Sequence, residues 1–253
     1  MSLFNRKAKE KKTAKKTTID YKDKLLSSNT PFAAAEAFKT LRTNLMFTAG
    51  KGVPVFGIVS CFPDTGKSLI SSNTAIAFAL ADKKVLLIDG DMRKPVQHKC
   101  FQIKNEKGLS QLLSHQITIE EAVQKAQNED GVSFDIITAG PIPPNPQELL
   151  SSKDTEEVFE ALKKLYDVIV IDLPPAGVVS DAVTLKDIVT GFVFIVRAGM
   201  STAPTVKSTV ENMITMGCKM VGTVLNFVNL KSGSYSSNYY GKKYYYYYSG
   251  YKD

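Results

Sequence analysis

The chain has 253 residues, 43% of them hydrophobic, with a formal net charge of +7 and three cysteines, which is enough for one buried core. Cys61, Cys100 and Cys218 lie without paired spacing, which argues against a disulfide framework or a zinc site and fits a reducing cytoplasm. No apolar run approaches the roughly 18 to 20 residues needed to cross a bilayer, and the basic N-terminus is not followed by the apolar stretch of a signal peptide, so the chain is expected to be neither exported nor integral.

The positive charge is unevenly placed. Residues 1–24 hold nine Lys/Arg against three acids, and residues 231–253 hold four Lys against one Asp, which leaves the segment between them at −2. A slightly acidic folded part lacks the basic face of a nucleic-acid-binding domain, so no nucleic-acid partner is expected. Residues 1–24, rich in Lys and Thr, read as a disordered basic arm that is either drawn to an anionic cytoplasmic membrane surface or simply solvated. Residues 25–230 then form the folded domain.

Within that domain, Ala37, Phe38, Leu41 and Leu45 recur at three- and four-residue spacing and predict an amphipathic helix over residues 33–47. Its polar side carries Glu36, Lys39 and Arg42, a triplet suited to a protein interface or to an ordinary solvated face. Residues 53–60 form an apolar, β-branched run that ends in a short loop closed by Gly66, Lys67 and Ser68, and residues 69–80 read as a helix. A strand, a Gly-containing loop and a helix start aim backbone N–H groups and a helix dipole at one point, which suits a phosphate. Lys67 would lie against β- and γ-phosphates, Ser68 would give its hydroxyl to Mg²⁺, and Gly66 has no Cβ to block the approach. The nucleotide-binding set is Asp64, Thr65, Gly66, Lys67, Ser68 and Leu69, although Cys61 stands where the strict phosphate-loop pattern has its first Gly.

Further short apolar strands are expected at residues 85–88, 134–137, 168–171, 192–196 and 220–225. Helical patterns fall at residues 120–126, 155–165, 181–189 and 203–216. Apolar strands alternating with amphipathic helices mean an α/β fold, a parallel sheet with helices on both faces, and such sheets bind ligands at the carboxyl ends of their strands. The second strand runs into Asp89, Asp91 and Arg93, and a later one into Asp172 and Pro174, so both sets fall on the rim that carries the phosphate loop. One acid at a strand end is usually a helix cap. Two beside Lys67 and Ser68 point to a Mg²⁺-nucleotide site, with Ser68, Asp89 and Asp172 as the metal-holding residues, directly or through water. Asn226, at the end of the last strand, faces an adenine or serves a turn.

The C-terminal segment is the other unusual feature. Nine of the eleven tyrosines, Tyr235, Tyr239, Tyr240, Tyr244, Tyr245, Tyr246, Tyr247, Tyr248 and Tyr251, gather there among Gly, Ser and Lys, with no apolar periodicity. Residues 231–253 are therefore expected to be a flexible tail, and its 23 residues would span on the order of 75 Å when extended, enough to reach a neighbouring subunit. Beside a nucleotide site, exposed phenols read as phosphoryl acceptors. Asp91 is the candidate to orient or deprotonate the incoming phenol, and Arg93 either neutralises transferred charge or pairs with a nearby acid.

These motifs resemble the bacterial tyrosine kinases of capsule and exopolysaccharide operons, in the cytoplasmic Gram-positive form, a branch of the deviant P-loop ATPases that includes the septum-site and chromosome-partition proteins. The carrying residues are Pro63, Gly66, Lys67 and Ser68; Leu86, Leu87, Ile88, Asp89, Asp91 and Arg93; Ile169, Val170, Ile171, Asp172 and Pro174; and the proline segment 140–146 followed by Glu148, Leu149 and Leu150. The chain departs from the family at Asp64, where Gly is common, and at Lys39, where an interface motif has Arg. Phe62 stands where partition and septum ATPases place a signature Lys.

The resemblance implies an ATP- and Mg²⁺-dependent protein-tyrosine kinase that autophosphorylates its tail in trans, acts on other proteins, and regulates capsular or exopolysaccharide synthesis and export. It implies a ring-like homo-oligomer through Glu36, Lys39 and Arg42. It also implies a transmembrane adaptor of the polysaccharide co-polymerase type, which would hold the cytoplasmic kinase at the inner face of the membrane. Each phosphate adds about −1.5 to −2 charges, so heavy phosphorylation is expected to reverse the tail's charge and loosen the oligomer. A nucleotide-switched ATPase scaffold without kinase activity is the alternative.

Overall fold

The computed structural model describes residues 21–228. Most of the expected basic arm and the whole tyrosine-rich tail lie outside the described residues. The described chain opens with a 3₁₀ turn, Lys22–Lys24, then α1 (Phe32–Thr48), β1 (Val55–Ser60), α2 (Lys67–Ala79) and β2 (Val85–Asp89). Three short helices come next, α3 (Gln97–Cys100), α4 (Leu109–Leu113) and α5 (Ile119–Ala122), the last running into β3 (Val123–Gln127) and β4 (Ser133–Ile137). The remainder is α6 (Pro146–Leu150), α7 (Lys153–Lys163), β5 (Val168–Asp172), a 3₁₀ helix Asp181–Leu185, β6 (Gly191–Arg197), α8 (Ala203–Thr215) and β7 (Met220–Asn226).

The strands form one sheet in the order β3-β4-β2-β5-β1-β6-β7. Six run parallel, and β3 is an antiparallel edge strand on β4. The two-residue period of a strand divides the apolar residues between two faces. Val55, Val59, Leu86, Ile88, Ile169, Ile171, Phe192 and Phe194 join one core with Phe159 and Leu162 of α7 and Met213 of α8. Their alternates, Phe56, Ile58, Val85, Leu87, Val168, Val170, Val193 and Ile195, join the other with Ile76 and Phe78 of α2 and Leu45 of α1. Helices on both faces and buried parallel strands are as the sequence predicts.

Four local expectations are corrected. Residues 120–126 do not form one helix: α5 stops at Ala122, after a capping box between Thr118 and Glu121, and the chain turns into β3. Pairing with β4 along Val123–Gln127 satisfies an otherwise open sheet edge and outweighs a weak helical period. The helix expected over residues 181–189 is a 3₁₀ helix ending at Leu185, because Ile188 and Val189 both donate back to the Leu185 carbonyl as the chain turns toward β6. In α1, Leu45 is buried and Phe38 and Leu41 pack against the core, but Ala37 is exposed. Residues 22–24, counted with the disordered arm, form a turn that the next two residues anchor to the core. Leu25 and Leu26 are buried, Asn73 of α2 accepts from Leu26 N (2.7 Å) and donates to Lys24 O (3.1 Å), and Asn128 donates to Leu26 O (2.8 Å).

Candidate nucleotide and phosphoryl-transfer site

The site lies at the carboxyl ends of β1, β2 and β5. Past β1 the chain makes a tight loop, and Gly66 at φ +84° caps the start of α2 in the left-handed region. A Cβ on Gly66 would come within 2.3 Å of Asn226 Nδ2, so both backbone and space call for glycine. Asp64 also takes positive φ, +58°, which gives a physical reason for a Gly preference there; its side chain is exposed. Most of α2 is buried, and small hydroxyl residues make this possible: Ser71, Ser72 and Thr74 donate to the carbonyls of Lys67, Ser68 and Ile70.

Parallel register sets Asp89 of β2 directly beside Asp172 of β5. Lys67, only 7% exposed, reaches Asp172 Oδ1 at 2.6 Å. Ser71 Oγ donates to the same oxygen at 3.3 Å, and Gln97 Nε2 donates to Asp172 Oδ2 at 2.9 Å. Gln97 is fully buried and also donates to Ser68 O (3.0 Å) and accepts from Ser72 (2.7 Å). Asp89 Oδ2 accepts from the amides of Val96 (3.0 Å) and Gln97 (2.9 Å), while its Oδ1 is buried without a hydrogen-bond partner among the described residues. Burial, and then the charge of Asp172, push the Asp89 carboxyl up to about 8. Burial also raises Asp91, against the pull of Lys67, and Asp91 Oδ1 accepts from Lys94 N at 3.0 Å.

Arg93 forks onto the buried Asp181, with Nε at 2.8 Å and Nη2 at 3.0 Å, so of its two expected roles the structure has it paired with an acid. It also lines a polar pocket with Asn145, Glu148 and Ser151 from the proline segment. Asn226 donates Nδ2 to Thr65 O at 3.0 Å and so supports the loop. On α1, Lys39 pairs with Glu36 at 2.6 Å, and Arg42 Nη1 donates to Ala77 O of α2 at 2.9 Å. Leu69 packs against the core on the α2 side. The acceptor tyrosines lie outside the described residues.

The donor set fits a hard divalent cation. Such ions take oxygen ligands, and Asp89 offers a buried carboxylate oxygen with no other use, beside a second carboxylate on the neighbouring strand. Among the described residues no cluster of three His, Cys, Asp or Glu is arranged around a metal. Sequence spacing gives no signal for Gln97, Asp181, Arg197 or Phe227. Arg197 of β6 donates Nη1 to Asp64 O at 2.6 Å and lies 4.0 Å from the centroid of the Phe227 ring. A polar residue such as Gln97, eight positions past a strand-end acid, becomes conspicuous only once its burial is known.

Comparison with known proteins agrees with this geometry. A family model described as an AAA domain matches residues 64–195, from the phosphate loop into β6. The putative tyrosine-protein kinase CapB of Staphylococcus aureus is 37% identical over 209 residues, 82% of this chain and 90% of CapB. The tyrosine-protein kinase YwqD of Bacillus subtilis is 38% identical over 82% of this chain and 86% of its own length. Among solved structures, the kinase domain of the Escherichia coli tyrosine kinase ETK superposes with a TM-score of 0.73 at 33% identity, covering 80% of this chain and 82% of that one. No helix among the described residues is long and apolar enough to cross a membrane. The P-loop fold is one that binds a nucleotide with Mg²⁺. With its phosphate loop, its paired strand-end carboxylates and near full-length similarity to CapB and YwqD, the chain belongs to the bacterial tyrosine-protein kinases.

Proposed function

We propose that this kinase transfers the γ-phosphoryl group of ATP to tyrosines of its own C-terminal cluster, residues 235–251, in a neighbouring subunit, and thereby regulates capsular or exopolysaccharide synthesis and export. The observation that carries the reading is the buried Lys67, Asp89 and Asp172 constellation at the mouth of the loop, which concentrates charge where a nucleotide's phosphates would sit.

The loop amides from Asp64 to Leu69 and the N-terminus of α2 gather the phosphates, and Lys67 adds a positive charge against them. Ser68 and Asp89 would hold Mg²⁺, with Asp172 acting through water because Lys67 and Gln97 already occupy its two oxygens. Mg²⁺ bound there supplies charge neutralisation for the phosphates. Asp91, whose carboxyl is raised by burial, orients the acceptor phenol and takes its proton. A loose transition state asks little of that base early on. Arg93, held by Asp181, keeps a cation on the rim of the pocket through which the acceptor enters. Asn226 sits on the adenine side while it supports Thr65.

The residues before the turn at 22–24 serve as a basic arm, the chain from that turn to residue 230 as the kinase domain and 231–253 as the acceptor segment. Subunits assemble through the α1 face bearing Glu36, Lys39 and Arg42, and a transmembrane adaptor of the polysaccharide co-polymerase type recruits and activates the kinase at the inner face of the membrane.

The test is incubation of the full chain with Mg²⁺ and γ-labelled ATP, with and without the cytoplasmic segment of a candidate adaptor, followed by mass spectrometry. Label on residues 235–251 that Lys67→Met abolishes is the expected result. Hydrolysis without label, even with the adaptor segment, would replace this reading with the nucleotide-switched scaffold.

A further inference from the structure

The phosphate loop is held from outside by the ends of the last two strands. Asp64 (φ +58°) and Gly66 (φ +84°) both occupy the left-handed region, which Gly adopts freely and Asp at a cost. Such a conformation persists only where its surroundings over-determine it. Arg197, the last residue of β6, donates Nη1 to Asp64 O at 2.6 Å, and Asn226, the last residue of β7, donates Nδ2 to Thr65 O at 3.0 Å. The Arg197 guanidinium also stacks on the Phe227 ring, 4.0 Å from its centroid. Phe227 is itself at φ +58°, and its amide donates to Asn226 Oδ1 at 2.9 Å. Ala198 N closes the set by donating to Asn226 O at 2.9 Å. In sequence, Phe227 stands four residues before residue 231, where the acceptor segment begins.

We propose that Arg197 is a positioning residue for phosphoryl transfer: with Asn226 and Phe227 it clasps the backbone of the phosphate loop to the root of the C-terminal segment, so that the two order and loosen together. The proposal rests on the nucleotide reading above and adds a residue outside the phosphate-binding motifs. An exposed Arg–Phe stack alone is a common surface contact of small energy. Here the same guanidinium is fixed twice, by a ring face and by a carbonyl of the strained loop, and a Lys would keep the charge but not the planar fork. A nucleotide that orders residues 64–66 therefore also orders Phe227. By linkage, displacement of Phe227 weakens nucleotide binding to the same extent.

The experiment uses the full chain and Mg·ADP as the probe, with affinity from calorimetry and with hydrogen exchange resolved at the loop amides and at Ala198 and Phe227. In the wild type, Mg·ADP is expected to slow exchange at the loop and at Ala198 and Phe227 together. Arg197→Ala should weaken Mg·ADP about tenfold, the loss of one charge-assisted hydrogen bond, and remove the protection at Ala198 and Phe227. Arg197→Lys should restore only part of the affinity. Phe227→Ala, at a residue 55% exposed and outside the core, gives a second variant that leaves the fold intact and should also uncouple the two sites. Unchanged affinity in Arg197→Ala, or loop protection in the wild type without protection of Phe227, overturns the clasp while leaving the nucleotide site standing. A wild type that binds no Mg·ADP overturns the nucleotide reading and the clasp with it.

Discussion

Lys67→Met removes more than a phosphate ligand. Lys67 Nζ lies 2.6 Å from Oδ1 of Asp172, and the two side chains are 7% and 0% exposed. Removing one member of a buried pair leaves the other charge without its partner, which costs about 3–5 kcal/mol. Asp172 keeps the Gln97 donor at 2.9 Å and a long contact to Ser71 at 3.3 Å, so the expected cost of Lys67→Met is at the low end, about 3 kcal/mol. Asp172→Asn strands Lys67 instead, but leaves the Asp89 carboxylate within its electrostatic reach, and about 2 kcal/mol is expected. The double variant Lys67→Met/Asp172→Asn buries neither of these two charges, so its stability should return to within about 1 kcal/mol of wild type. The coupling energy of the cycle is then about 4 kcal/mol. Urea unfolding of the metal-free proteins, monitored by far-UV circular dichroism, measures it. A coupling below about 1 kcal/mol would refute the argument, since Lys67 would then spend its time in solvent. The cycle also separates two effects that Lys67→Met merges: the double variant should be inactive and yet stable.

The same cluster yields two other expected outcomes. Asp89→Asn keeps an acceptor for the amides of Val96 and Gln97 but removes a carboxyl that burial, with Asp172, pushes from 3.8 to about 8. Between those values the folded state holds a proton that the unfolded chain has lost, so this group lowers stability by about 1.4 kcal/mol per pH unit as pH rises, and no further above its folded pKa. In chelator-treated buffer the variant should gain on wild type by roughly 3 kcal/mol between pH 6 and pH 9, while losing Mg²⁺-dependent nucleotide binding; a stability difference that stays flat with pH would contradict the raised carboxyl. Gln97→Leu takes a donor from Asp172 Oδ2 and from Ser68 O, and should cost about 2–4 kcal/mol with a matching fall in Tm. An unchanged Tm would mean that Asp172 is satisfied without it.

Local spacing encodes the part of this fold that is legible in the sequence. Buried β-strands declare themselves by short apolar runs, and the acids at their ends fall on one rim because parallel strands all present their carboxyl ends there. Lys67, Asp89 and Asp172 can thus be brought together without coordinates, and the register of β2 and β5 does set the two acids side by side. Residues 120–126 mislead because an edge strand is decided by its partner, here β4, and not by its own period. Gln97 and Arg197 are silent for a related reason: their contacts span 75 and 133 residues of chain, and nothing in the residues around them marks the partner.

Asp64 brings these two kinds of information together. In sequence it is a carboxylate placed where the family favours Gly, and so an obstacle to phosphate binding. In the fold its side chain is exposed, its backbone takes the conformation that makes Gly favourable there, and its carbonyl is held by Arg197. The position thus departs from the family in side chain while taking the left-handed backbone conformation that Gly adopts freely. The cost of Asp64 is then mainly conformational, about 1–2 kcal/mol for a non-Gly residue in the left-handed region, and the Arg197 contact offsets it. Asp64→Gly should therefore stabilise the loop and reduce its dependence on Arg197, so that Arg197→Ala in the Asp64→Gly background weakens Mg·ADP binding less than it does in the wild type. Equal losses in both backgrounds would show that Arg197 acts on something other than the loop's strained backbone.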